Sequence, residues 1–109
     1  MLRDGLSALI GGEDDMELSG TAGAADCAMQ LFVALQPGIT LIDLDLPNGI
    51  ALIENIVATE PACCVIGLLS DEWDEVGRTA LMAGAWSCVT KDRLAVELPV
   101  VIRRGCGRW

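Results

Sequence analysis

The sequence predicts an α/β protein in which a doubly wound parallel sheet carries helices on both faces. Its 109 residues fit one domain, because chains divide into separate hydrophobic cores only well above this length. Segments with helical spacing of apolar residues alternate with short apolar runs, which is typical of right-handed β-α-β units and a parallel sheet. Residues 39–44 are almost continuously apolar, as expected of a strand buried on both faces.

The first third of the chain predicts two helices separated by a short strand. Apolar residues at helical spacing predict a helix over residues 2–10, which ends at Gly11 and Gly12. Residues 16–21 alternate apolar with polar or small side chains, as a short or edge strand does. Residues 24–35 place their apolar side chains on one face and end before Pro37, which predicts a second helix.

The remaining two thirds predict three buried strands and three helices. The strands are expected at residues 39–44, 63–69 and 87–90, so that four strands are predicted in total. Helices are expected at residues 50–59 and 72–83, and Gly84 provides the exit from the second of them. Leu98, Val101 and Ile102 mark a last helix, in which Pro99 is expected to be tolerable only in the first turn.

The composition excludes several classes of function. Sixteen acidic against seven basic residues give a formal net charge of −9, which argues against a surface that binds nucleic-acid phosphates. The chain contains no histidine, so a Ser-His-Asp triad and an HExxH zinc site are excluded. The five cysteines lack CxxC spacing and lie in apolar runs, which indicates small, reduced core residues of a cytoplasmic protein. No apolar run is long enough for a membrane span.

Polar residues follow three of the predicted buried strands. Asp43 and Asp45 lie at the end of the first, Ser70 follows the second, and Lys91, the only lysine, follows the third. Ligands of open parallel sheets bind beyond the carboxyl ends of the strands, so these residues are the candidates for chemistry. Asp43 and Lys91 can form an ion pair there, and such a pair can hold an anionic phosphoryl group once the carboxylate is modified. Two ordinary loop-facing charges explain the spacing equally well.

Six stretches carry a resemblance to a known family. In chain order they are LRDGLSALI, LSGTAGAADCA, PGITLIDLDLP, CVIGLLSDEWDE, ALMAGAWSCVTKD and GCGRW. Their pattern resembles the receiver domains of two-component response regulators, of the NarL-like subgroup, over residues 1–109. The resemblance implies a flavodoxin-like fold and a phosphorelay function, in which the domain accepts a phosphoryl group from a histidine kinase and switches a partner-binding surface.

The resemblance also implies roles for individual residues. The aspartate of LIDLDLP, Asp43, would be the phosphoacceptor, and the lysine of VTKD, Lys91, would contact the phosphoryl group. Mg²⁺ would be held by the Asp43 carboxylate and the main-chain carbonyl of Asp45. A carboxylate can attack a phosphohistidine when a cation neutralises the charge on the transferred oxygens, which makes chemical sense of these residue types.

The sequence departs from the family pattern at several positions. The chain is expected to be N-terminally truncated, since it begins after the family's first strand and its pair of metal-binding acidic residues. Mg²⁺ affinity is therefore expected to be weakened or lost. The family's switch hydroxyl aligns with Leu69, and the adjacent Ser70 is the candidate to replace it if the register slips by one. Cys88 aligns with the family's aromatic switch position.

The partners expected from this reading are a histidine kinase and, as a candidate assembly, a second copy of the chain in a homodimer. Direct nucleic-acid binding, membrane association and an enzymatic activity of its own are not expected, and the location is expected to be cytoplasmic. The alternative is a degenerate receiver that is not phosphorylated and acts as a protein interaction or dimerisation module.

Overall fold

Three parallel strands form the sheet of the computed structural model, which describes residues 25–45, 48–70 and 75–106. Their order is β1-β2-β3, and helices connect consecutive strands. The predicted α/β class is therefore confirmed. The described elements are α1 (Ala25–Leu35), β1 (Ile39–Asp43), α2 (Gly49–Thr59), β2 (Cys64–Leu69), α3 (Glu75–Ala83), β3 (Ser87–Thr90), a 3₁₀ turn (Lys91–Arg93) and α4 (Leu94–Cys106).

Some of the predicted elements lie outside the described residues. These are the helix at residues 2–10, the strand at residues 16–21 and the start of the helix predicted at residues 72–83. The predictions for the described elements differ from the structure by at most one residue at the ends of α1, β1, α2 and β2, and β3 has the predicted bounds. No helix among the described residues is long and apolar enough to cross a membrane.

Helices cover both faces of the sheet. All six positions of β2 are buried, as a strand between two helical layers requires. The helices α1, α2 and α3 pack against one face of the sheet, and α4 packs against the other. The first core contains Phe32, Ile42, Leu52, Ile53, Ile56, Cys63, Val65, Ala80 and Ala85. The second contains Cys64, Ile66, Leu68, Val89, Leu98 and Ile102. Fully burying one such aliphatic side chain contributes about 1.5–3 kcal/mol, so these two layers dominate the stability of the described fold.

Gly84 ends α3, as predicted. Its φ of +121° lies in a region that residues with a Cβ rarely adopt, and a Cβ at this position would lie 2.8 Å from Val57 Cγ2. Both the backbone conformation and the close approach to α2 therefore require glycine here.

The position of Pro99 differs from the prediction. Pro99 lies inside α4, at the sixth of its thirteen residues, rather than in the first turn. A proline there removes the hydrogen bond to the carbonyl of Ala95. Ala95 is exposed and Pro99 is buried, so water can reach the residue that lost its partner while the proline ring fills apolar space. The prediction was wrong because burial of the ring, which only the packed structure reveals, offsets part of the local cost.

The cysteine prediction holds for two residues and is wrong for another. Cys63 and Cys64 are buried at 8% and 2% exposure, and burial raises the pKa of the Cys63 thiol. A thiol with a raised pKa is a poor nucleophile, which agrees with a packing role. Cys27, by contrast, is exposed on α1. Its helical position turns it away from the sheet, which the apolar run around it did not reveal.

Candidate functional site

The carboxyl ends of the strands bring the predicted polar residues to one edge of the sheet. Asp43 is the last residue of β1 and pairs with Leu68, and Leu69 pairs with Thr90, the last residue of β3. Ser70 directly follows β2, and Lys91 directly follows β3. Parallel pairing therefore places residues from three distant parts of the sequence side by side.

Lys91 bridges two carboxylates at this edge. Its Nζ lies 2.7 Å from Asp43 Oδ1 and 2.6 Å from Asp45 Oδ2. The Lys91 and Asp43 side chains are 24% and 19% exposed, whereas that of Asp45 is 54% exposed. The predicted pairing of Lys91 with Asp43 is thus present, and a second carboxylate joins it.

The turn after β1 fixes the relative position of the two aspartates. The Asp45 N–H donates a hydrogen bond of 3.0 Å to Asp43 Oδ1, and the Leu44 N–H donates one of 3.0 Å to the Leu68 carbonyl. The Leu44 side chain fills the space above Gly67, where an added Cβ would lie 2.8 Å from Leu44 Cδ1. Asp43 Oδ1 therefore carries two donors, while no described residue donates to Oδ2.

Ser70 joins the same group through Asp45. Its Oγ donates a short hydrogen bond to Asp45 Oδ2, the oxygen that also contacts Lys91. Leu69, at the position where the family has its hydroxyl, is buried at 3% exposure. Ser70 reaches the site because it lies just beyond the strand, where the chain bends towards Asp45. We call Asp43, Asp45, Ser70 and Lys91 the Lys91 cluster.

The contacts within the Lys91 cluster move two pKa values in opposite directions. The hydrogen bond from Lys91 and then that from Ser70 lower the pKa of Asp45 below its ordinary value of 3.8. Partial burial by itself lowers the pKa of Lys91, but the hydrogen bonds and charges of Asp43 and Asp45 outweigh it and raise that pKa above 10.5. Asp45 and Lys91 therefore both stay ionised throughout the neutral range.

The side chain of Asp45 is the site residue that sequence reasoning missed. The resemblance assigned a role only to its main-chain carbonyl, whereas its carboxylate contacts both Lys91 and Ser70. The Asp-Leu-Asp sequence carried a usable signal, because a second carboxylate two residues beyond the end of a strand lies at the same edge of the sheet.

The described residues do not by themselves fit a magnesium ion. Mg²⁺ is usually bound by one or two carboxylates in addition to phosphate and water, and both carboxylates of the Lys91 cluster already contact an ammonium group. Within the ranges that the structure describes, no three acidic, cysteine or histidine side chains group together in a way that could hold a metal.

The opposite edge of the sheet has a different character. A pocket of about 360 Å³ lies there, beside the amino ends of β1 and β2. Its lining includes Phe32, Pro37, Gly38, Thr59, Glu60 and Cys63. Glu60 uses its carboxylate locally, accepting a hydrogen bond of 3.2 Å from the Ala62 N–H. None of the described residues in the lining is basic, and none of them is a residue of the Lys91 cluster.

Comparison with known proteins gives a consistent set of relatives. The chain is 32% identical to the DNA-binding transcriptional activator DevR/DosR of Mycobacterium tuberculosis, over 99% of this chain and 51% of that protein. It is 28% identical to protein-glutamate methylesterase/protein-glutamine glutaminase 2 of Cereibacter sphaeroides, over 99% of this chain and 31% of that protein. The chain thus spans about half the length of DevR/DosR and a third of the methylesterase. No family model matches the chain.

The solved structures agree with these relatives. The response regulator domain of Thermotoga maritima CheB superposes with a TM-score of 0.84 at 26% identity, covering 95% of this chain and 87% of that one. The relatives of this chain are response regulators, and the solved structures similar to it include their receiver domains.

Proposed function

We propose that residues 1–109 form one receiver domain that accepts a phosphoryl group on Asp43 from the phosphohistidine of a histidine kinase. The observation that carries the proposal is the contact of 2.7 Å between Lys91 Nζ and Asp43 Oδ1 at the carboxyl edge of the sheet. A carboxylate that is 19% exposed and held by an ammonium group is accessible to a donor and already oriented.

The proposed transfer uses the second carboxylate oxygen of Asp43. Oδ2, to which no described residue donates a hydrogen bond, attacks the phosphorus atom of the phosphohistidine. The phosphorus–nitrogen bond breaks, an acyl phosphate forms on Asp43, and the imidazole leaves with the electron pair of that bond. The Lys91 ammonium stabilises the negative charge on the transferred oxygens during this step, and Ser70 Oγ is a further donor within the cluster.

Magnesium would act at the same edge. Receiver domains generally bind Mg²⁺, which neutralises charge on the phosphoryl oxygens. In this chain the Asp43 carboxylate and the Asp45 carbonyl are the candidate ligands. Because both nearby carboxylates already contact the Lys91 ammonium group, we expect weak binding, and we assign no step to the metal.

The proposed output surface is formed by α3, β3 and α4. The helices α3 and α4 pack on opposite faces of β3, the edge strand of the described sheet, and Lys91 directly follows that strand. Met82 on α3 and Val96 on α4 are 88% and 76% exposed, which suits contact with a protein partner or a second copy of the chain. The acyl phosphate adds charge beside this surface and thereby shifts its conformation. With a net charge of −9, the chain itself would bind proteins rather than nucleic acid, as a non-enzymatic, cytoplasmic receiver.

A second candidate function is a receiver that is never phosphorylated and serves as an interaction module. The observation in its favour is that Lys91 is already satisfied by two carboxylates of its own chain. Such a cluster holds the carboxyl edge together without an added group.

Phosphorylation by a small-molecule donor tests between the two functions. The protein is incubated with phosphoramidate or acetyl phosphate and Mg²⁺, and intact mass spectrometry measures the addition of one phosphoryl group. We expect one group per chain in the wild type and none in Asp43→Asn, which keeps the shape of the side chain but removes the nucleophile. Absence of the adduct in both the folded wild type and Asp45→Asn, which removes one of the two carboxylates from Lys91, would favour the interaction module.

A further inference from the structure

We infer that the Asp45 carboxylate is an internal competitor of the phosphoryl group: it occupies the donors Lys91 and Ser70 and thereby slows modification of Asp43. This inference rests on the proposed function and concerns its regulation. It assigns to the Asp45 side chain a role separate from that of its main-chain carbonyl.

Two donors converge on one oxygen of the Asp45 carboxylate. Asp45 Oδ2 accepts a hydrogen bond from Lys91 Nζ at 2.6 Å and a short one from Ser70 Oγ. These donors come from residues 46 and 25 positions away in the sequence. A cationic donor and a hydroxyl aimed at one anionic oxygen form the arrangement that a phosphoryl oxygen would also require. An anion that enters the site must therefore displace the carboxylate or share its donors.

The backbone of Asp45 is held in place, while its side chain is able to leave the cluster. The Asp45 N–H is bonded to Asp43 Oδ1, and the preceding Leu44 is anchored by its N–H to Leu68 and by its side chain above Gly67. The Asp45 side chain is nevertheless 54% exposed, so rotation about its own bonds brings the carboxylate into water. Release requires no movement of the sheet.

The exposure also limits the size of the effect. Ion pairs between solvent-accessible side chains are weak, since water and salt screen them. Displacing Asp45 should therefore cost the incoming group a factor of about two to five in rate or affinity. The contact delays modification of Asp43 and does not block it.

The experiment compares initial rates of Asp43 phosphorylation by phosphoramidate at fixed Mg²⁺ in the wild type, Asp45→Asn and Asp45→Ala. We expect both substitutions to raise the rate about two- to fivefold. Asp92→Asn is the matched control, because Asp92 is exposed, adjacent to Lys91 in sequence and outside the Lys91 cluster. It removes the same charge and should leave the rate within error of the wild type. Equal gains in Asp45→Asn and Asp92→Asn would mean that only the net charge matters, and would overturn the inference.

A double-mutant cycle isolates the part of the effect that passes through Lys91. In a Lys91→Gln background, the gain from Asp45→Asn should shrink, since the carboxylate then withholds only the Ser70 hydroxyl from the phosphoryl oxygens. A gain of undiminished size in this background contradicts the inference.

The same measurements separate this inference from the proposed function. If no variant is modified at Asp43, the proposed function fails and the inference fails with it. If the wild type is modified but Asp45→Asn is no faster than Asp92→Asn, only the inference fails. An unmodified wild type beside a modified Asp45→Asn would contradict the inference as stated, because a delay of about two- to fivefold cannot silence the site.

Discussion

The two edges of the sheet use acidic side chains in different ways. At the amino edge, Glu60 accepts a hydrogen bond from Ala62, two residues along the chain, and helps to close the turn before β2. At the carboxyl edge, Asp45 accepts from Lys91 and Ser70, which lie 46 and 25 residues away. The first contact would exist in a short peptide, whereas the second exists only when three strands are assembled.

The range of a polar contact along the chain indicates whether the residues that make it have a functional role. A local contact stabilises the turn that contains it and reports little about activity. A contact between side chains from separate strand ends requires the whole sheet, and it gathers an ammonium group, a hydroxyl and two carboxylates at one place. The carboxyl edge is therefore the region in which substitutions should change chemistry, and the amino edge the region in which they should change stability.

The largest expected effect is a loss of stability caused by a substitution at the amino edge. Phe32 lines the pocket there and is 5% exposed. Phe32→Ala should lower the free energy of unfolding by about 3–5 kcal/mol, because it removes a buried ring and leaves a cavity. Urea denaturation monitored by circular dichroism measures this change. Val33→Ala, at the neighbouring position with 56% exposure, should change the stability by about 0.5 kcal/mol or less.

The Phe32 substitution also tests whether phosphorylation at the carboxyl edge depends on packing at the amino edge. The folded fraction of Phe32→Ala, or of the milder Phe32→Leu if the first does not fold, should retain the wild-type rate of Asp43 phosphorylation. A reduced rate per folded molecule would show that the two edges are coupled, contrary to the distinction drawn above.

Gly67→Ala should disturb the carboxyl edge through packing. The new Cβ would lie 2.8 Å from Leu44 Cδ1 and 3.2 Å from Cys88 Sγ, so Leu44 must move, and the turn that carries Asp43 and Asp45 moves with it. We expect a loss of about 1–3 kcal/mol in stability, together with a slower phosphorylation of Asp43.

Gly49→Ala provides a matched control for Gly67→Ala. A Cβ at Gly49 would also face Leu44, but at an ordinary contact distance of 3.5 Å from Leu44 Cδ2. This substitution should keep or raise the stability by about 0.4–1 kcal/mol, because alanine reduces the freedom of the unfolded chain. Equal destabilisation by the two substitutions would contradict the close packing of the Leu44 side chain against Gly67.

Lys91→Gln should have a smaller effect on stability than on phosphorylation. The ion pairs of Lys91 are partly exposed, so their loss should lower the free energy of unfolding by about 1 kcal/mol or less. Arg93→Gln removes a more exposed pair with Glu97, at 3.5 Å, and should change the stability even less. The rate of Asp43 phosphorylation should fall in Lys91→Gln and stay unchanged in Arg93→Gln. Equal rates in these two variants would argue against a phosphoryl contact by Lys91.

The smallest expected effect is that of pH on the contact between Asp45 and Lys91. The pKa of Asp45 is lowered from 3.8, so its contribution to stability is fully present above that value and is lost as the pH falls through the lower folded-state pKa. The pKa of Lys91 is raised from 10.5, so its contribution is present below that value and is lost as the pH rises through the higher folded-state pKa.

The contact between Asp45 and Lys91 should therefore make a constant contribution to the free energy of unfolding between about pH 5 and pH 9. The difference in unfolding free energy between the wild type and Asp45→Asn, measured by urea denaturation, should be flat over that range and should shrink only at more acidic or more alkaline pH. A difference that changes near neutral pH would contradict the assigned ionisation of Asp45 and Lys91.

The fold was largely predictable from residue patterns. The buried strands were found because apolar runs such as that of β2 must be covered on both faces, and Gly84 marked the end of α3. The common edge of Asp43 and Lys91 was also predictable, since parallel strands share their carboxyl ends. The predicted roles of these residues in phosphorylation stay predictions, as does the fourth strand at residues 16–21.

The features that sequence reasoning missed depend either on neighbours distant in the chain or, for Cys27, on the helix face that the residue occupies. Pro99 lies inside α4 because its ring is buried, and Cys27 is exposed because its helix turns it outward. The Asp45 carboxylate contacts Lys91 because Leu44 packs above Gly67 and holds the turn in place.

The amino-acid sequence by itself determined the alternation of helices and strands, and the positions at which charged residues follow buried strands. These properties depend on local periodicity and on the free energy of burying apolar side chains, which one segment largely expresses on its own. Only the tertiary structure decided that Lys91 is shared by Asp43 and Asp45, and that Ser70 donates to the same oxygen of Asp45. Such contacts depend on distances of a few ångströms between side chains from different strands, and packing sets those distances.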